Sequence, residues 1–330
     1  MSREGAVRTP QRSRANQKRL RPAGRERVWV RVMANARAGQ RLRWAALAVV
    51  VVMVAALWLV ARGQSAPPPL QRLDSTRDYL PGVAADIFVP ATPSPDAPVV
   101  VLVPGGSWHT ADRTGLGPLA DSLAAHGMFV VNATYRAADA GVRFPIPASD
   151  IVCAVDFAAD QARRHGVIPD RIFLLGHSAG AELGALAALE PQRFRRDCPY
   201  PPATPDGFIG LAGTYDIDQW QSLAYPMLGA AEAKEPELWR EANAMTWVKS
   251  RTGPNPLSVL LAHGFDDTDV PTGSSRLFAA ALTAAGHPLH LTIVPGATHQ
   301  SIYRPKVISA TIVDWIDHQS YALGPNGASS

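Results

Sequence analysis

Cysteine is nearly absent from this 330-residue chain, which holds only Cys153 and Cys198. No C-x-x-C pair occurs, and this excludes a thiolate metal site of the usual spacing. No metal site is expected from these two residues, and the chemistry read below needs neither a metal nor an organic cofactor. Two thiols leave two readings open. In an oxidising compartment they can form one bridge; otherwise Cys153 is a small buried hydrophobe and Cys198 an idle loop thiol. No internal repeat recurs, which excludes a solenoid. Charged residues make up only 18% against 47% apolar, which fits a globular protein with an apolar segment added.

Charge is missing altogether from "WAALAVVVVMVAALWLV", Trp44 to Val60. Its length is near the lower limit of about 17–25 residues for a membrane-spanning helix. Trp44 and Trp58 stand near its ends, where indoles favour the lipid–water boundary. Residues 1–43 hold 13 Lys/Arg against Glu4 and Glu26, a net +11, and the rest of the chain is −7. By the positive-inside rule the arm stays cytoplasmic and the remainder crosses. The expected organisation is a basic cytoplasmic arm at 1–43 and a transmembrane signal anchor at 44–61. A Pro-rich linker follows at 62–78, then a globular domain at 79–322 and a tail at 323–330. The competing reading is secretion after signal cleavage near Ala61-Arg62-Gly63, although the basic leader is long for a signal peptide. The arm reads as a topology determinant, with the membrane as its partner and no nucleic acid. Oligomeric state is not written in the sequence.

From Tyr79 the pattern turns globular. Apolar runs at "ADIFVP" (85–90), "PVVVLVPGG" (98–106), "MFVVNATY" (128–135), "RIFLLG" (171–176), "GFIGLAG" (207–213), "PLSVLLAHG" (256–264) and "LHLTIVPG" (289–296) read as strands. Helical segments alternate with them at 115–127, 147–166, from 179, at 273–286 and at 306–320. Asp150 is expected near its helix start, where a carboxylate is favourable. Strands after Pro98 are continuously apolar, which implies an α/β fold with a mostly parallel sheet covered by helices on both faces. In such sheets ligands gather beyond the carboxyl ends of the strands.

Several chemical groups fall at those ends. Gly176-His177-Ser178-Ala179-Gly180 fits G-x-S-x-G between a strand and a helix. The bland account is a small-residue turn that lets the helix pack closely. The chemical account is a serine held out for attack, which needs a base and oxyanion donors. Of nine histidines, His299 in "VPGATHQS" follows the last strand, where a base belongs. His263 ends the preceding strand and shapes its loop, and His177 points away from the serine's direction. "HGFDDTDVP" offers Asp266, Asp267 and Asp269 as the acid, at least one of them a turn former. "VPGGSWHT" brings bare backbone to the end of an early strand, either as an oxyanion hole or as an ordinary turn.

These stretches together resemble the α/β-hydrolase esterase group that includes carboxylesterases, hormone-sensitive-lipase-like enzymes and kynurenine formamidases. The likeness runs from about Tyr79 to Ser320. It rests on "VPGGSW", "TYRAADAGVRFPIPASD", "GHSAG", "HGFDDTDVP" and "PGATHQS". The resemblance implies Ser178 as nucleophile, His299 as base and Asp267 as acid. It places oxyanion donors at the N–H groups of Gly106, Ser107 and Ala179. Trp108, next in sequence, is expected either to border the acyl or alcohol pocket or to be plain packing. Pro104 departs from the family pattern, which has a histidine there, and this puts the stiffness of the glycine loop in question. The expected activity is hydrolysis of short-acyl or small soluble carboxylic esters, since no insertion is long enough for a large lid. The rival readings are an amidase, formamidase or peptidase with the same triad, and a non-catalytic binding module of the same fold.

Overall fold

The computed structural model describes residues 71–322. The expected anchor, arm and tail lie outside them. Among the described residues no helix is long and apolar enough to cross a membrane.

Eight strands form one sheet: β1 (Leu73–Leu80), β2 (Val83–Phe88), β3 (Val99–Val103), β4 (Phe129–Ala133), β5 (Ile172–His177), β6 (Gly207–Leu211), β7 (Ser258–Gly264) and β8 (Leu289–Val294). Their spatial order is β1-β2-β4-β3-β5-β6-β7-β8. The first two pairings, β1 with β2 and β2 with β4, are antiparallel and all later ones are parallel. Among the described residues eight helices accompany them: α1 (Gly117–Ala125), α2 (Ile146–Arg164), α3 (Ala179–Leu189), α4 (Pro191–Phe194), α5 (Gln221–Leu228), α6 (Pro236–Ala242), α7 (Gly273–Ala285) and α8 (Pro305–Ala322).

The continuous apolar strands have a direct explanation. Val99, Val101 and Val103 of β3 enter one core with α2 and α3, while Val100 and Leu102 enter a second with α1 and α8. Alternate side chains point to opposite faces, and both faces are covered, so no strand position can be polar without cost.

Strand β1 corrects the expected linker. The sheet starts at Leu73 and so takes in residues 73–78, which the sequence assigns to the spacer. This edge strand is largely exposed and rich in charge, so it has no apolar signature. Asp150 is also placed differently. It lies beyond the first turn of α2, fully buried, and accepts 2.9 and 2.7 Å bonds from the Arg136 guanidinium. Its role is to hold the Tyr135-Arg136 loop rather than to complement the helix end. Cys153 and Cys198 are disulfide-bonded, their Cα atoms 5.5 Å apart, joining α2 to the segment after α4.

Candidate active site

Register brings the site together. Val103 lies opposite Gly176, and His177 opposite Leu211. The segments that leave β3, β5, β6, β7 and β8 therefore meet at one edge, beside the point where the chain switches from β4 across β3 to β5.

Ser178 sits between β5 and α3 with φ 54° and ψ −126°, an unusual conformation for a residue with a side chain. Bare backbone on both sides makes this turn possible. A Cβ on Gly180 would lie 2.1 Å from the Pro104 carbonyl oxygen, and one on Gly105 would lie 2.8 Å from Ser178 Cβ. The glycine loop after β3 is thus pressed directly against the serine turn. Pro104, which departs from the pattern, takes part in that contact through its carbonyl, so the loop is braced by backbone packing.

His299 stands in the loop after β8. Its Nε2 accepts the Ser178 hydroxyl at 3.0 Å, and its Nδ1–H donates to Asp267 Oδ2 at 2.8 Å. Asp267 has a fully buried side chain, and its Oδ1 accepts the N–H groups of Asp269 (2.9 Å) and Val270 (2.8 Å). Of the three aspartates in this loop, Asp267 is the one bonded to the histidine. Neither Asp266 nor Asp269 shares that contact.

Two further histidines support the arrangement. His263 is completely buried; its Nε2–H donates to the Val270 carbonyl at 2.8 Å, its Nδ1 bonds Ser275 Oγ at 2.7 Å, and it stands 3.2 Å from Asp267 Oδ2. Burial lowers its pKa, so it shapes the acid's loop as a neutral ring. His177 is more involved than the sequence reading allows. Its Nε2–H donates to the His299 backbone carbonyl at 3.0 Å, its ring centroid lies 4.7 Å from that of His299, and Tyr303 meets it edge-on. Burial, then the neighbouring His299, lowers its pKa to about 3.

The cleft beside Ser178 has a volume of about 450 Å³. Gly106, Ser107 and Ala179 line it, and among the described residues no carbonyl accepts their N–H groups. Gly106, Ser107 and Trp108 all have positive φ, 143°, 51° and 62°, which turns this stretch of loop sharply. Trp220 and Leu223 supply apolar wall, and Asp112, Asp269 and Gln300 supply a polar rim. Trp108 borders the cleft but is only 1% exposed, and its indole N–H is spent on Glu182 at 3.0 Å. The indole packs the wall and offers no donor to a substrate. Trp239 is buried, with its indole N–H donated to the Ala230 carbonyl, and does not line the cleft. Sequence reasoning passed over Glu182, although it is the one ionisable residue of α3. It passed over Gln300, although that residue directly follows the base in the same motif, and Tyr303, which lies just beyond it.

Comparison with known proteins finds esterases among the relatives. An isoprenylcysteine alpha-carbonyl methylesterase of Arabidopsis thaliana is 25% identical over 234 residues, covering 66% of this chain and 54% of its own. Esterase LipQ of Mycobacterium tuberculosis is 27% identical over 245 residues, covering 68% and 56%. The chain thus spans about half the length of the curated relatives it matches. Among solved structures, a bifunctional GH43-CE of Bacteroides eggerthii matches with TM-score 0.65 at 22% identity, over 74% of this chain and 34% of that one. Esterase 2 of Thermogutta terrifontis, solved with butyrate, matches with TM-score 0.62 at 20% identity, over 80% and 99%. At such identities the structures speak for the fold, which is that of the α/β-hydrolases. The BD-FAE family model matches residues 85–282, and the chain belongs to that family.

Proposed function

We propose that this protein is a carboxylic ester hydrolase that works through an acyl-enzyme on Ser178. The observation that carries the reading is the unbroken chain from Ser178 Oγ through His299 to the buried Asp267, at 3.0 and 2.8 Å, opening on a cleft. His299 takes the serine proton as Oγ attacks the ester carbonyl, and Asp267 stabilises the imidazolium that results. The N–H groups of Gly106, Ser107 and Ala179 receive the negative oxygen, aided by the N-terminus of α3. His299 then returns its proton to the leaving alcohol, and water repeats the sequence to release the acid. Esterase names among the relatives support the same chemistry. The modest cleft volume supports short acyl groups on small soluble alcohols.

The test is labelling of the full-length chain with a fluorophosphonate. Ser178 should be the modified residue, and Ser178→Ala should lose both labelling and hydrolysis of short-chain esters while the protein stays folded. Turnover that survives Ser178→Ala would reject the nucleophile.

The same reading extends to location. The uncharged run 44–60 and the basic arm support an anchored domain facing away from the cytoplasm. The Cys153–Cys198 bond supports the same side, since disulfides persist in oxidising compartments. Full-length protein should stay with membranes after alkaline washing; release of a mature form beginning near Gly63 would reject the anchor.

A further inference from the structure

We infer that Glu182 is a positioning residue for the oxyanion-binding loop, an inference that rests on the ester-hydrolase reading above. Helix α3 is otherwise Ala, Gly and Leu, and Glu182 is fully buried within it. Among the described residues no cation pairs with this carboxyl. Burial pushes it well above the usual carboxylate range, against the opposing pull of the Trp108 indole and the Ala244 N–H. An unpaired acid in an apolar core works against stability. Its position is therefore better explained by the bond it makes than by the fold it sits in.

That bond is the 3.0 Å contact from Trp108 Nε1–H to Glu182 Oε2, across 74 positions of sequence. Trp108 directly follows Gly106 and Ser107, and all three have positive φ. Non-glycine residues persist in such conformations only when their surroundings over-determine them. Bonds from the His109 and Thr110 N–H groups to the Gly106 carbonyl close the turn on itself, and the Ala138 N–H holds the Trp108 carbonyl from outside. Only the indole bond ties a loop side chain to the helix that begins at the nucleophile. Glu182 is one turn from Ser178, its N–H donating to the Ser178 carbonyl at 3.3 Å. The bond therefore sets two separate donor groups, the Gly106-Ser107 loop and Ala179, in one frame. Small displacements of such donors are felt in the chemical step rather than in substrate binding.

A kcat loss out of proportion to any change in Tm separates this role from simple packing. Glu182→Leu removes a buried acid but strands the Trp108 indole N–H, so the two stability effects oppose each other and Tm should move little, while kcat should fall about ten- to a hundredfold with KM within about twofold. Glu182→Gln keeps an acceptor for the indole and should restore kcat to within about threefold of wild type. Trp108→Phe should mimic Glu182→Leu, and the double variant should lose little more, since the two act as one unit. The assay is steady-state hydrolysis of a short-chain ester by the full-length chain. The Trp108 indole N–H provides a second readout by hydrogen exchange in tryptophan-labelled protein, identified by its loss in Trp108→Phe. It should be protected in wild type and Glu182→Gln and exchange faster in Glu182→Leu. The inference is overturned if Glu182→Leu keeps wild-type kcat, if its loss lies in KM, or if activity falls only in step with Tm. It is also overturned if Glu182→Gln is as damaging as Glu182→Leu. Absence of turnover in wild type would sink the ester-hydrolase reading instead, and the exchange pattern alone would then decide whether the brace exists.

Discussion

Each of the three central side chains has a different kind of support. Ser178 is held by backbone conformation, His299 by hydrogen bonds at both ring nitrogens, and Asp267 by two N–H groups of its own loop. Asp267→Asn should disturb the tautomer of His299 and lower kcat by about 10⁴, as the same change does in a serine-protease triad. Asp266→Asn and Asp269→Asn should each lower it less than about tenfold, because neither carboxylate touches the imidazole. Steady-state kinetics on the three variants would decide, and a damaging Asp266→Asn would move the acid by one position. His177 makes a second, quite different expectation. It stays neutral in the folded protein down to about pH 3, whereas the unfolded chain takes up its proton near pH 6.5. Below that pH the unfolded state binds more protons, so stability should fall as pH drops, by on the order of 5 kcal/mol at full effect. His177→Gln should flatten the acid side of a Tm-against-pH curve, leaving the smaller contribution of His263. That Ser178 and His299 meet was legible from the sequence because each sits in a motif at a strand end. That Asp267 joins them was legible only through family resemblance, since three aspartates within four positions look alike until one of them meets the histidine. The bond from His177 to the His299 carbonyl joins residues 122 positions apart and has no sequence signature at all.

Among the elements, the contact between the β3 loop and the serine turn dominates. Gly105→Ala would force a methyl to within 2.8 Å of Ser178 Cβ, so either the loop or the nucleophile must shift. Kinetics should show kcat reduced at least about tenfold, with the fold retained by circular dichroism. Wild-type kcat in Gly105→Ala would mean that the loop moves freely and does not set the hole. The parallel strands were visible in advance because burial on both faces leaves an uninterrupted apolar run. Edge strand β1 was hidden for the opposite reason: it is polar and exposed, and its pairing with β2 is what makes it a strand. Trp108 reads from sequence as a ligand contact because it neighbours the glycine loop. Its burial depends on α3, 74 residues away, and no local pattern reports that.

For the whole molecule, the disulfide is the one covalent tie beyond the backbone. It closes a loop across 45 positions and joins the helix layer of one face to the segment after α4. Replacing both cysteines by alanine should lower stability by about 2–4 kcal/mol, read as a Tm lower by on the order of 10 °C. Activity at 25 °C should persist, because neither sulfur lies in the cleft. An unchanged Tm would show that the bridge adds nothing beyond the packing of α2. The asymmetry of the chain also belongs to this scale. Removing the +11 arm turns a basic protein into an acidic one, so a preparation lacking residues 1–43 should bind anion exchangers where the full chain does not.

The grip of His177 on the His299 carbonyl bears on how this active site can change over generations. His177 fills a variable position of the G-x-S-x-G motif. Here it also carries the donor that keeps the base beside the serine, so a substitution there alters two catalytic loops at once. Diversity aimed at new substrates has more room at the rim, at Asp269, Gln300, Trp220 and Leu223, where a side chain can be exchanged without unsettling the base.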